Sequence, residues 1–304
     1  SQEKCLSQSL EFTGERFTPE CVREIWYEHI HRYAFAASLI SGKKVLDAAC
    51  GEGYGAAHLS SRAKSVHAVD ISERAVTHAQ DRYRAENLQF QVADCCALPF
   101  SDGQFDCVVS FETLEHLENQ ATLLQEFRRV LAADGFLIIS SPDKAVYTDR
   151  YQNQNEFHVK ELYRDELDDL LATRFPIRRF MKQKLMFHSV IWPDEEQPGV
   201  TFQQSGPQGI TEQCVPTRDA MYFIVLCAGS EEALPELRSG SWLFDDEAES
   251  VYEHYHHEIR KNMSTGAVLQ SMEAELKELR AQLQGPSTAE PKPTPWWRRL
   301  FRGD

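Results

Sequence analysis

From Lys43 onward, short apolar runs alternate with segments whose apolar positions recur at helical spacing. The runs are KKVLDA (43–48), SVHAVD (65–70), LQFQVA (88–93), FDCVVSF (105–111) and GFLIIS (135–140), with helical stretches near 55–62, 73–86 and 118–132 between them. Strand–helix alternation of this kind predicts a parallel sheet covered on both faces, a doubly wound α/β fold. A helix over 160–173 follows, then two longer β-like runs, 176–192 and 219–229, which bring the strands to seven. No helix joins that last pair, so the final strand is expected antiparallel. The intervening loop, 193–218, is long enough for a lid or substrate wall. Ahead of the sheet, Thr18 to Ile40 reads as one or two helices, with Pro19 in the first turn after the cap Thr18.

The pattern changes after Ser230. Residues 231–258 hold nine acidic residues and one arginine, and Leu269, Met272, Leu276, Leu279 and Leu283 then recur at spacings of 3, 4, 3 and 4. That is an a/d seam of about two heptads, shorter than a secure coiled coil, so a helix packed on its own domain is the competing expectation. Gly285 and Pro286 stop the helix, and a Pro/Thr/Ser linker leads to PWWRRLFRGD, basic and aromatic. The expected organisation is a helical cap over 1–41, a Rossmann-like domain over 42–230, an acidic helical extension over 231–285 and a tail over 286–304. The seam at 266–284 is a candidate homo-oligomer contact, and the tail a candidate contact with an anionic membrane surface.

Composition narrows the class. In 304 residues, 32 Lys plus Arg face 47 Asp plus Glu, a formal charge of −15, with 42% hydrophobic and 11% aromatic residues. Wholesale disorder is excluded, and an acidic balance without a basic face in the first 290 residues argues against nucleic acid as a partner. The eight cysteines form no C-x-x-C pair and read as reduced packing thiols. No apolar run reaches eighteen residues, and Ser1 to Leu10 lacks a secretory pattern. The expected address is the cytoplasm, with the tail near the inner face of the membrane.

Chemistry concentrates after the first strand. Cys50-Gly51-Glu52-Gly53-Tyr54-Gly55-Ala56 opens a helix, so backbone approaches a ligand at the carboxyl edge of the sheet. Gly51, Gly53 and Ala56 also satisfy the dinucleotide pattern, and Asp70 lies at the end of the next strand, where an acid holds ribose hydroxyls. Asp47 argues against a nicotinamide dinucleotide, because a carboxylate beside the loop repels a pyrophosphate. S-adenosylmethionine carries a cationic sulfonium and ammonium and no phosphate, so two acids suit it.

VLDAACGEGYG, HAVDIS and VADCCALPFSDGQFDCVVSFETLEHL resemble the successive motifs of class I S-adenosylmethionine-dependent methyltransferases over residues 40–145. The resemblance implies that Asp47, Ala49, Gly51 and Gly53 line the methionine part of the cofactor and that Asp70, with Ile71 beside it, bonds the ribose. Asp94 and Cys95 then meet the adenine, and Phe111 and the Leu114–Glu115–His116 turn face the sulfonium. GERFTPE (14–20) and NEFHVKEL (155–162) are similar to methyltransferases associated with bacterial surface-polysaccharide (O-antigen) biosynthesis. That narrower resemblance implies O-methylation of a sugar hydroxyl on a glycan precursor, with a glycosyltransferase as a candidate partner of the tail.

Transfer to a hydroxyl requires a base. His116, after the fourth strand, and His158, after the fifth, are the candidates, and the competing expectation for each is a packing or capping role. Glu112 and Glu115 lie three apart, one facing the site and the other capping. Arg32 is a candidate to pair the cofactor carboxylate bidentately, against a solvated surface arginine. No metal site is expected: His254, His256 and His257 read as a solvated helix face, and no acidic pair specific to a divalent ion is visible. A quinone-like acceptor, a non-catalytic scaffold and a nicotinamide oxidoreductase are the rival functions, the last opposed by Asp47.

Overall fold

The computed structural model describes residues 24–153, 155–191, 194, 199–207 and 209–283. The Thr18–Pro19 helix start, GERFTPE, Trp192 and Gln208 of the long loop, and everything from 286 onward lie outside the described residues. The chain divides after Glu247 into two units.

In the first unit, helix α1 (Glu24–Ala37) precedes β1 (Lys44–Ala48), α2 (Tyr54–Ser60), β2 (Ser65–Asp70), α3 (Glu73–Arg82), β3 (Leu88–Val92), β4 (Phe105–Ser110), α4 (Gln120–Val130) and β5 (Leu131–Pro142). Then come α5 (Arg164–Ala172), β6 (Ile177–Gln183), β7 (Phe202–Gly206), β8 (Gly209–Gln213) and β9 (Tyr222–Ala228). Seven strands form one sheet in the order β3-β2-β1-β4-β5-β9-β6. Neighbours from β3 to β5 run parallel, and β9 runs antiparallel between β5 and β6. This is the expected doubly wound sheet with its last strand reversed.

Period-2 alternation builds the two cores. Val45, Val66, Cys107, Val109, Ile138 and Leu226 face one side with Tyr33, Leu59 and Val76 of α1, α2 and α3. Leu46, Val69, Val108, Leu137 and Val225 face the other with Leu123 and Phe127 of α4 and Leu167 and Leu171 of α5. Side chains start the helices: Ser72 accepts from Ala75 N at α3, and Asn119 accepts from Thr122 N at α4.

Two expectations change. The run 176–192 is a strand only to Gln183, and Phe187, Val190 and Ile191 beyond it are exposed; β-propensity without a neighbouring strand does not form a ladder. The long loop contains a hairpin, β7–β8, paired from Phe202↔Gln213 to Gly206↔Gly209. Its strands, FQQSG and GITEQ, are largely exposed and carry no apolar alternation to reveal them.

Residues 231–247 pack on α1: Trp242 meets Phe35 edge-on at 5.0 Å, and the Tyr27 hydroxyl donates to Asp245 and Asp246. The second unit holds α6 (Ser250–Leu283), with Leu269, Met272, Leu276 and Leu279 about half exposed. Among the described residues no helix is long and apolar enough to cross a membrane.

Candidate active site

The turn after β1 is held from three sides. Ala49, Gly51 and Gly53 all take left-handed backbone, with φ of 62°, 56° and 93°. A Cβ at Gly53 would stand 2.7 Å from the Ala79 methyl, and one at Gly55 would stand 2.0 Å from the Tyr33 ring. Only glycine lets α3 and α1 close on this loop so tightly. Asp70, at the end of β2, accepts from Gly51 N with one carboxylate oxygen and from Ser72 N with the other, both at 2.9 Å. Glu52 is buried and bonds His78 Nε2 at 2.9 Å, Arg82 Nη1 at 2.9 Å and the Tyr83 hydroxyl at 2.8 Å, tying the loop to α3 and the turn after it.

The loop's electrostatics favour a cation. Asp47 is wholly buried, and burial pushes its carboxyl up to about 7, against a lowering bond from the Tyr33 hydroxyl and with the Asp70 charge raising it further. That hydroxyl donates toward both Asp47 oxygens, at 3.2 and 3.4 Å. Two acids share this edge, and a positive ligand would relieve the cost of ionising both. Arg32 is buried, not solvated; it pairs Glu112 at 2.8 Å and lies over the Tyr222 ring at 4.6 Å. Its Nε and Nη2 make no hydrogen bond among the described residues. Such orphaned donors suit a carboxylate arriving with a ligand.

The adenine-side residues follow β3. The Asp94 carboxylate accepts from Cys96 N at 2.8 Å, and Cys95 is buried, its thiol pushed up to about 12 chiefly by that burial. Phe111 packs edge-on to Tyr33 at 5.0 Å, whereas the Ile71 side chain is largely exposed.

A third group gathers where β4 and β5 end. Glu112, with φ of 50°, accepts from Ser140 as well as pairing Arg32. Glu115 is 1% exposed, and its backbone carbonyl accepts from Val159 N and Lys160 N, which lashes the 155–162 segment to the turn Leu114–His116. His116 Nδ1 bonds the Phe157 carbonyl at 2.9 Å, and His158 Nδ1 bonds Glu161 at 2.5 Å. The two imidazoles meet edge-to-face at 5.1 Å, and Tyr147 lies 5.4 Å from His158. Glu115, His116 and His158 each offer a ligand atom within 4.8 Å of the others. Tyr147, Asn153, Asn155, His158 and Glu161 line an open groove of about 880 Å³.

The fold therefore gathers Asp47, Gly51, Gly53 and Asp70 at the glycine loop, pairs Arg32 with Glu112 after β4, and brings His116 against His158. Reasoning from the sequence passes over Glu52 and Glu161. The partners of Glu52 are distant in sequence, and Glu161 lies three residues from His158, a spacing that a helix-period reading of 160–173 absorbs.

Comparison with known proteins supports the same class. A family described as methyltransferase domain matches residues 46–139. A Mycobacterium tuberculosis protein named as a probable S-adenosylmethionine-dependent methyltransferase is 40% identical over 166 residues, 53% of this chain and 60% of its own length. A protein of the same description from Mycolicibacterium smegmatis is 34% identical over 174 residues, 56% of this chain and 67% of its own. A solved S-adenosylmethionine-dependent methyltransferase from Thermotoga maritima superposes with a TM-score of 0.49 over 67% of this chain and 90% of that one, at 17% identity. The chain belongs to the S-adenosylmethionine-dependent methyltransferases, with class I, Rossmann-like architecture.

The residues present fit that cofactor. The buried acids at the glycine loop suit its cationic groups, and the orphaned Arg32 donors suit its carboxylate.

Proposed function

We propose that this chain transfers a methyl group from S-adenosylmethionine to a hydroxyl of a sugar, on a glycan or glycan precursor of the cell surface. When bound, the cofactor supplies an electrophilic methyl carbon and a neutral thioether leaving group. The chain's own residues orient the reactants: Asp70 holds the loop and presents an acid to the ribose, and Asp47 offers negative charge to the cationic end. His116 and His158 act together where the acceptor hydroxyl gives up its proton, rather than as alternatives. With the cofactor in place, the acceptor oxygen would bond the methyl carbon as the carbon–sulfur bond broke, its electron pair staying on sulfur. The hydroxyl proton passes to water in the groove that His158 lines.

The observation that carries the sugar reading is the groove, whose wall of Lys144, Tyr147, Asn153, Asn155 and Glu156 offers the neutral and charged hydrogen-bonding groups a polyhydroxyl ligand needs. A lipophilic acceptor is the second reading, favoured by the exposed Phe187, Val190 and Ile191. Radiolabelled methyl from S-adenosylmethionine, incubated with nucleotide sugars, glycan extracts and quinone precursors, separates them. Uptake by a glycan fraction supports the first, and uptake confined to the lipophilic fraction removes it. The helix seam and basic tail support a further proposal, assembly with a second copy or with a membrane-bound glycosyltransferase.

A further inference from the structure

We propose that Glu115, His116 and His158 bind a divalent transition-metal ion at the carboxyl edge of the sheet, beside the acceptor groove. Their ligand atoms all lie within 4.8 Å of one another. Donor atoms around an ion at about 2.0–2.2 Å stand about 3–3.5 Å apart, so side-chain adjustments on the order of an ångström complete the set.

Three observations point to a cation rather than to packing. The first is Glu115 itself: it is 1% exposed, and neither carboxylate oxygen has a hydrogen-bond partner among the described residues. A buried carboxylate in that state is costly unless a cation meets it. The second is the posture of the imidazoles. One ring nitrogen of His116 is held by a backbone carbonyl and one of His158 by a carboxylate, the arrangement by which proteins orient ligating histidines. The third is the tether. Val159 N and Lys160 N both bond the Glu115 carbonyl, so the segment carrying His158 is fixed to the residue that completes the set.

Two imidazoles and one carboxylate suit zinc, manganese, iron(II) or cobalt better than calcium. Three protein ligands leave coordination positions open, the mark of a reactive site rather than a structural one. Resting on the methyl-transfer reading, the open positions would take the acceptor hydroxyl and lower its pKa, so that its proton passes to solvent through the groove. His116 and His158 then serve as ligands, and Glu161 is a positioning residue that acts through His158.

The test uses tag-free full-length protein stripped with chelator and titrated with cobalt(II), zinc and manganese, by calorimetry and by cobalt d–d absorption. One ion per chain is expected, with the affinity reduced about 100-fold or more in Glu115→Gln and in His158→Gln. Glu161→Gln is expected to lose about 10-fold to 100-fold and to shift the cobalt spectrum. His188→Gln, on an exposed segment outside this set, is expected to bind as the parent does. S-adenosylmethionine binding, measured on every variant, confirms that each is folded. Absence of binding by the parent, or affinity undiminished in both Glu115→Gln and His158→Gln, overturns the proposal. Metal binding that behaves as expected without methyl transfer to any acceptor upholds the ion and removes the sugar reading.

Discussion

At the scale of single residues, Asp47 has the most direct consequence. Its carboxyl titrates near 7 in the folded chain and near 3.9 once unfolded. Between those values the folded state holds a proton that the unfolded state has released, so this group's contribution to stability falls as pH rises from about 4 to about 7. The scale is up to a few kcal/mol, since each tenfold change in proton affinity is worth about 1.4 kcal/mol. Denaturation of the free protein at pH 5 and pH 8 should therefore show the parent losing stability relative to Asp47→Asn, and equal losses in both would exclude Asp47 as the source. Affinity for S-adenosylmethionine should move the opposite way, rising with pH in the parent and staying flat in the variant. Gly55 makes a steric prediction. A methyl there meets the Tyr33 ring at 2.0 Å, so Gly55→Ala should displace the ring from Asp47 and cost about 1–3 kcal/mol, read as a lower unfolding midpoint with weakened cofactor binding.

Among the elements, the join between the glycine loop and α3 runs through Glu52. One buried carboxylate bonds His78 and Arg82 on α3 and Tyr83 just beyond it. Glu52→Ala strands those partners and should cost about 3–5 kcal/mol, with hydrogen exchange rising first across residues 51–60 and 73–83. Protection unchanged in those segments would show that packing alone holds the loop. Much of this level was legible in the chain, for a physical reason: β1, β2, β4 and β5 alternate their side chains between two cores, and that alternation is local. The hairpin β7–β8 was not legible, because its strands face solvent on both sides and need no apolar period. The Glu115–His158 neighbourhood was half legible. Each residue stood out next to its strand end, but backbone bonds from Val159 and Lys160 to Glu115 bring them together, and no periodicity reports such a crossing. Arg32 was legible as a candidate, while its Glu112 partner came only with the fold.

For the whole molecule, the unit ending at Glu247 contains every residue that holds the cofactor loop. A chain ending there should keep the calorimetric affinity for S-adenosylmethionine within about twofold, and a loss beyond tenfold would show that α6 or the tail takes part. Cross-linking of the same two chains tests the seam: dimers formed by the full chain and absent from the shorter one support pairing through Leu269–Leu279, and equal monomer populations remove it. The position of β9 has a further consequence, in time rather than in space. It is the strand that pairs with both β5 and β6, yet it is made last of the seven, so β5 waits from Pro142 until Tyr222 for its neighbour. On a ribosome adding about 5–20 residues per second that wait is on the order of ten seconds. During it the nascent chain presents a long apolar edge, Phe136 to Ile139, open to any strand that passes. Chaperone dependence and inclusion-body formation are the expected traits of this topology, and slowing synthesis ahead of β9 would lengthen the hazard rather than relieve it.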